Sequence, residues 1–248
     1  MTVHDQHEVT STEWRTLPNA DGPMNVFVAR PRAPRAGLVV LQEAFGINEH
    51  IQDVTRRAAQ AGYLAVAPDL FHRHDEGPVS YSDRDTAMSR IAELGVDRID
   101  TDVRAVIDHL AEHEDLPASR VGIVGFCFGG RAAFTAATLV PGLAATTVFY
   151  GPGIAAGPHA VLDRVSSIDG PVLMIVGDDD PTIPPEHLDS IRTACAEAGV
   201  DLRIEVFPGA GHAFHCDARP QAYHPDAAPR AWEMTLQFFA DAIPTSAS

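Results

Sequence analysis

The chain has 248 residues, 45% of them hydrophobic and 21% charged, an ordinary composition for one large globular domain with a buried core. Its formal net charge of -16 repels nucleic-acid phosphates and anionic lipid, so both are poor candidate partners. Three cysteines without a CxxC pair argue against a disulfide scaffold, and the polar N-terminus lacks the basic flank and apolar run of a signal peptide. No stretch approaches the ~20 apolar residues of a membrane span, and the expected location is cytoplasmic.

Residues 1–12 read as a disordered or extended lead-in, 13–243 as a single domain and 244–248 as a tail. Short runs rich in aliphatic and β-branched residues mark strands at 25–29, 37–41, 63–67, 120–126, 146–150, 172–176 and 202–207. Several are apolar almost throughout, as expected of strands covered on both faces of a parallel sheet. The stretch 48–61 opens on Asn48, a plausible helix N-cap, and stops at Gly62. Residues 71–82 read as a mobile segment bordering the site as a lid. Residues 96–113 carry Val96, Ile99, Val103, Val106, Ile107 and Leu110 at three- and four-residue spacing, one apolar stripe of a helix. Further helices are expected at 131–138, at 185–198 before Gly199, and at 227–243. Strand and helix alternate, so the expected architecture is α/β, a mainly parallel central sheet with helices on both faces.

The strand at 120–126 runs into Gly125-Phe126-Cys127-Phe128-Gly129-Gly130 and then a helix, a G-x-S-x-G elbow with cysteine in the serine position. A tight strand-to-helix turn lifts one side chain clear of the sheet. The helix N-terminus then favours a thiolate or an oxyanion there, with the amide of Phe128 as a first oxyanion donor. Carboxylates past the strand at 172–176, in Asp178-Asp179-Asp180, suit an acid partner. His212, in the glycine-rich loop after the strand at 202–207, suits a general base. The order along the chain, nucleophile then acid then base, is that of an α/β-hydrolase fold.

At these residues the chain resembles the dienelactone hydrolase (carboxymethylenebutenolidase) family, from about Val39 to Phe239. Leu41-Gln42-Glu43-Ala44-Phe45-Gly46-Ile47-Asn48, Pro68-Asp69-Leu70-Phe71, the cysteine elbow and Ala210-Gly211-His212-Ala213-Phe214 are similar to family segments. The resemblance implies a Cys-His-Asp triad that opens esters or lactones through a thioester. Its D-x-x-[VI]-P pattern falls on Asp180-Pro181-Thr182-Ile183-Pro184, which points to Asp180, although Asp178 or Asp179 could serve if the turn were one residue longer. The resemblance also implies that Glu43 contacts the resting thiol and helps deprotonate it when substrate binds, and that the neighbouring amide of Ala44 is the second oxyanion donor. Two arginines of the family grip a substrate carboxylate. One falls on Arg84; the position of the other, four residues after the histidine, is Cys216, and a thiol does not replace a bidentate guanidinium. That departure argues against dienelactone itself as the substrate and leaves Arg84 to hold an anionic group alone.

No cofactor and no metal are expected. His109-Leu110-Ala111-Glu112-His113 matches a zinc-protease pattern, but it lies on an ordinary amphipathic helix without a third ligand, and His72-Arg73-His74 belongs to the lid segment. The partner is a small-molecule ester or lactone, and the chain is expected to be a monomer or homodimer. Two other readings stay open: a non-catalytic ligand-binding homologue of the fold, and a thiol redox protein using Cys127 and Cys216.

Overall fold

The computed structural model describes residues 7–74 and 76–243. The strands are β1 (Val9–Leu17), β2 (Met24–Pro31), β3 (Ala36–Leu41), β4 (Tyr63–Pro68), β5 (Val121–Phe126), β6 (Ala145–Phe149), β7 (Val172–Gly177) and β8 (Leu202–Phe207). They form one sheet in the order β1-β2-β4-β3-β5-β6-β7-β8. The pairings β1–β2 and β2–β4 are antiparallel; all the others are parallel. The helices are α1 (Glu49–Gln60), α2 (Arg84–Ala92), α3 (Val96–Glu114), α4 (Phe128–Ala137), α5 (Pro185–Ala198) and α6 (Ala227–Ala242).

Every residue of β3 to β7 is buried, which explains their unbroken apolar sequences. Successive residues of a strand face opposite sides of a sheet. A side chain on Gly37 would meet Leu110 of α3, whereas one on Gly122, beside Leu38 in the next register position, would meet Phe239 of α6. The two helices therefore cover opposite faces, giving the three-layer α/β arrangement expected from the sequence.

Helix α1 begins where Asn48 accepts a hydrogen bond from the Ile51 amide, at 3.2 Å. Helix α5 ends on Gly199 at φ 74°, a left-handed cap that glycine adopts without strain. Three features depart from expectation. Strand β1 takes in residues 9–12 of the segment read as a lead-in; it is a mostly exposed edge strand whose polar sequence carries no hydrophobic signal. Helix α2 is also additional. It buries only Ala87 and Arg90, too little for an apolar stripe, and is capped by Asp83.

The third departure is the start of the lid. Arg73 makes two hydrogen bonds of 2.8 Å to fully buried Asp102 of α3, and His72 adds a third at 3.1 Å. Burial would raise the Asp102 carboxyl, but the bonds from His72 and Arg73 outweigh it and hold the group below its ordinary range. Residues 71–74 are thus anchored to the body. The tail at 244–248 and residues 1–6 of the lead-in lie outside the described residues.

Candidate active site

The chemically distinctive side chains cluster beyond the carboxyl ends of the parallel strands: Glu43 after β3, Cys127 after β5, Asp180 after β7 and His212 after β8. In open parallel sheets this edge is where strand-end loops converge. Cys127 has φ 55° and ψ -119°, a conformation that a non-glycine residue adopts only at a cost and that aims its side chain out of the turn. The turn closes because two neighbours lack side chains. A Cβ on Gly125 would lie 1.9 Å from the Gly129 carbonyl oxygen, and one on Gly129 would lie 2.3 Å from that of Gln42. Helix α4 consequently starts at Phe128, inside the elbow, rather than at residue 131.

Cys127 Sγ lies 3.0 Å from His212 Nε2, and His212 Nδ1 lies 2.8 Å from Asp180 Oδ2. The other Asp180 oxygen accepts from the Thr182 amide at 2.9 Å and from its hydroxyl at 2.7 Å. Of the three adjacent aspartates, Asp180 is the one brought to His212; Asp178 instead accepts from the Gly209 amide at 2.6 Å. Burial alone would lower the His212 imidazole, but the hydrogen bonds to Asp180 and Cys127 outweigh it and push it up to about 10. For Asp180, burial raises the carboxyl, and the bonds to His212 and Thr182 more than offset this and lower it. The arrangement favours an imidazolium between a carboxylate and a sulfur, and so can present a thiolate to an electrophile.

A cavity of about 450 Å³ opens over Cys127. Ala44 and Phe128 line it, and among the described residues neither amide has an acceptor, so both are free to donate to a developing oxyanion. Ala87, Met88 and Ile91 of α2 supply an apolar wall. Arg84 lies in the first turn of the same helix and lines the cavity. It is not alone. Arg219 and Arg131 also line the cavity. The sequence placed the second arginine position on Cys216, but a turn closed by the Arg219 amide on the Cys216 carbonyl folds the chain back and presents Arg219 instead. Its guanidinium lies 5.8 Å and 5.4 Å from the ring centres of Phe45 and Tyr81. The signal that could have found it was an arginine just beyond the histidine loop; the turn was not legible.

Glu43 is 1% exposed, and neither of its carboxylate oxygens has a hydrogen-bond partner. The contact with the Cys127 thiol expected of a resting state is therefore not the arrangement seen here, because the thiol has turned to His212. Burial raises the Glu43 carboxyl, only partly opposed by His50 and Arg219. Cys216 is fully buried, contacts the Tyr81 hydroxyl at 3.5 Å and is pushed up to about 12 by burial and by Glu43. It is a free thiol, as are Cys127 and Cys195.

Glu43, His50 and Cys216 offer ligand atoms within 4.8 Å of one another, the one such group among the described residues. The cation of Arg219 faces the same carboxylate and thiol and opposes a second cation there. The pair His109 and His113 has no third ligand among the described residues. No helix among them is long and apolar enough to cross a membrane.

Comparison with known proteins identifies what the site is similar to. The model of the dienelactone hydrolase family matches residues 24–243. A Yersinia pestis protein provisionally named carboxymethylenebutenolidase is 35% identical over 234 residues, covering 90% of this chain and 86% of its own. A Salmonella typhimurium protein with the same provisional name is 34% identical over 248 residues, covering 96% and 90%. Among solved structures, a Klebsiella pneumoniae protein provisionally described as a dienelactone hydrolase superposes with a TM-score of 0.82 at 31% identity, over 93% of this chain and 98% of that one.

Proposed function

The chain belongs to the dienelactone hydrolase family and is a hydrolase of esters or lactones, and we propose that it works through Cys127 as nucleophile, His212 as general base and acid, and Asp180 as the carboxylate that orients His212. The observation that carries this reading is the unbroken line from Asp180 through His212 to Cys127, with contacts of 2.8 and 3.0 Å.

In the proposed reaction the Cys127 thiolate attacks the carbonyl carbon while His212 holds the proton. The carbonyl oxygen becomes an oxyanion between the amides of Ala44 and Phe128; losing one such donor typically costs about 2.7–4 kcal/mol in the barrier. His212 gives its proton to the leaving oxygen, and the acyl group remains on sulfur as a thioester. His212 then takes a proton from water, the hydroxide displaces the sulfur, and a carboxylic acid leaves. Thiolate is the better leaving group in the first tetrahedral adduct unless the alcohol departs easily. Aryl esters and enol lactones are therefore the substrates to expect, ahead of alkyl esters and amides.

Glu43 would act before the first step. Burial raises its carboxyl and so favours the neutral form, and an acid in that form would hold the thiol whenever Cys127 turns away from His212, an arrangement different from the one in the structure. A thiol held there would be less open to oxidation than one turned to His212. The acidic surface and three free cysteines support a cytoplasmic enzyme that binds neither nucleic acid nor membrane.

Turnover of p-nitrophenyl acetate tests the assignment. Cys127→Ala should lower kcat by about a million-fold, the scale seen when a nucleophile that acts as a unit with its base is removed. Its circular dichroism should match the wild type. Undiminished turnover by the folded variant would sink the proposal.

A further inference from the structure

All 18 basic residues of the chain are arginines, and most pair with carboxylates. Arg131 does not. It sits in the first turn of α4 with 7% of its surface exposed, and among the described residues its guanidinium has no hydrogen bond and no carboxylate within 4.0 Å. Its Nη2 is completely enclosed and unpartnered. What holds it in place is the face of Phe128, 5.3 Å from the guanidinium carbon, and the backbone of Gly153. All three residues line the cavity over Cys127.

A buried cation without a counter-charge is unfavourable, and proteins retain one where a ligand completes it. The thiol does not complete it, since Cys127 Sγ already faces His212 and makes no hydrogen bond to the Arg131 guanidinium. Nor does Arg131 duplicate Arg219. The charge of Arg219 falls on Glu43 and Cys216, whereas Arg131 stands beside the elbow, where the neighbouring titratable side chain is that of Cys127. The cavity thus carries cations on two sides of the reacting sulfur, Arg84 and Arg219 on the side of α2 and the histidine loop, and Arg131 on the side of α4.

We propose that Arg131 receives a second acidic group of the substrate, a carboxylate or phosphate, so that the enzyme selects esters or lactones carrying two anionic groups. This rests on the cavity over Cys127 being the substrate site. A guanidinium suits the task because its planar fork meets two oxygens of such a group at once. In a chain of net charge -16 these cations also offset the long-range repulsion that a doubly charged substrate would meet on approach.

Calorimetric titration of the Cys127→Ala protein reads binding without turnover. The probes are glutarate and 4-phosphonobutyrate, with two acidic groups, and butyrate, with one. At least one diacid should bind about tenfold or more tightly than butyrate. Adding Arg131→Met should abolish that margin while leaving butyrate unchanged, and Arg131→Lys should recover part of it. The diacid that shows the margin identifies carboxylate or phosphate as the group received. Diacids that bind no more tightly than butyrate, or not at all, overturn the proposal. So does an equal loss for all three probes in Arg131→Met. Should the methionine variant fail to fold by circular dichroism, Arg131→Gln carries the same comparison. A failure of Cys127 as nucleophile would appear in turnover and leave these affinities untouched.

Discussion

Two groups of side chains around Cys127 are built on opposite principles. Along Asp180, His212 and Cys127 each polar group meets a partner, and Thr182 fixes the remaining oxygen of the carboxylate. Elsewhere around the site Glu43 and Arg131 are buried, yet both Glu43 oxygens and Arg131 Nη2 lack a hydrogen-bond partner. A satisfied line is pre-organised and holds its geometry before substrate arrives. An unsatisfied wall costs stability and retains polar groups for a step or a ligand that comes later. The contrast matches the proposed division between residues that carry the chemistry and residues that recognise the substrate or restrain the thiol.

Breaking the satisfied side should have the larger effect. Asp180→Asn keeps the shape but removes the charge and permits the wrong imidazole tautomer, so kcat on p-nitrophenyl acetate should fall by about 10,000-fold with the fold intact. A variant near wild-type activity would move the acid role to Asp178 or Asp179. A smaller effect lies in the pH dependence of stability. His212 is pushed up to about 10 from its ordinary 6.5, so the folded protein holds a proton that the unfolded chain releases between those values. That stabilisation is complete below about pH 6.5 and is lost as pH rises toward 10. The Tm of the wild type should therefore fall from pH 7 to 10, and His212→Gln should flatten the fall; equal falls in both proteins would show that the ion pair contributes nothing.

On the unsatisfied side the sign reverses. Glu43→Gln removes a carboxyl whose ionisation is suppressed by burial, and it should raise the Tm at pH 7 by roughly 2–4 °C, the shift expected for about 1 kcal/mol in a chain of this size. Because a raised carboxyl loses its favourable contribution as pH rises, the gain should be larger at pH 7 than at pH 4.5. A loss of stability would mean that Glu43 has a partner in solution and that the contrast between the two sides is weaker than drawn.

Much of this was legible in the chain itself. The elbow around Cys127 was, because a strand, a turn and a helix are neighbours in sequence and the glycines needed for their close approach announce the turn. The strands β3 to β7 were, because burial on both faces leaves no choice but apolar residues. Strand β1 was not, since an exposed edge strand is free to be polar. Helix α2 was not, since two buried residues make no periodic stripe. Residues 71–74 read as mobile because nothing local orders them; the carboxylate that does belongs to α3, at Asp102.

By itself, then, the sequence determined the central strands, the cysteine elbow and the histidine loop, because each is set by hydrophobic pattern or by turn chemistry acting over a few residues. Tertiary structure decided which aspartate reaches His212, that Arg219 and not Cys216 lies on the cavity, and that Glu43 and Arg131 stand buried without partners. Those outcomes depend on loops from different strands meeting at one edge of the sheet, and no spacing along the chain measures the distance between two loops.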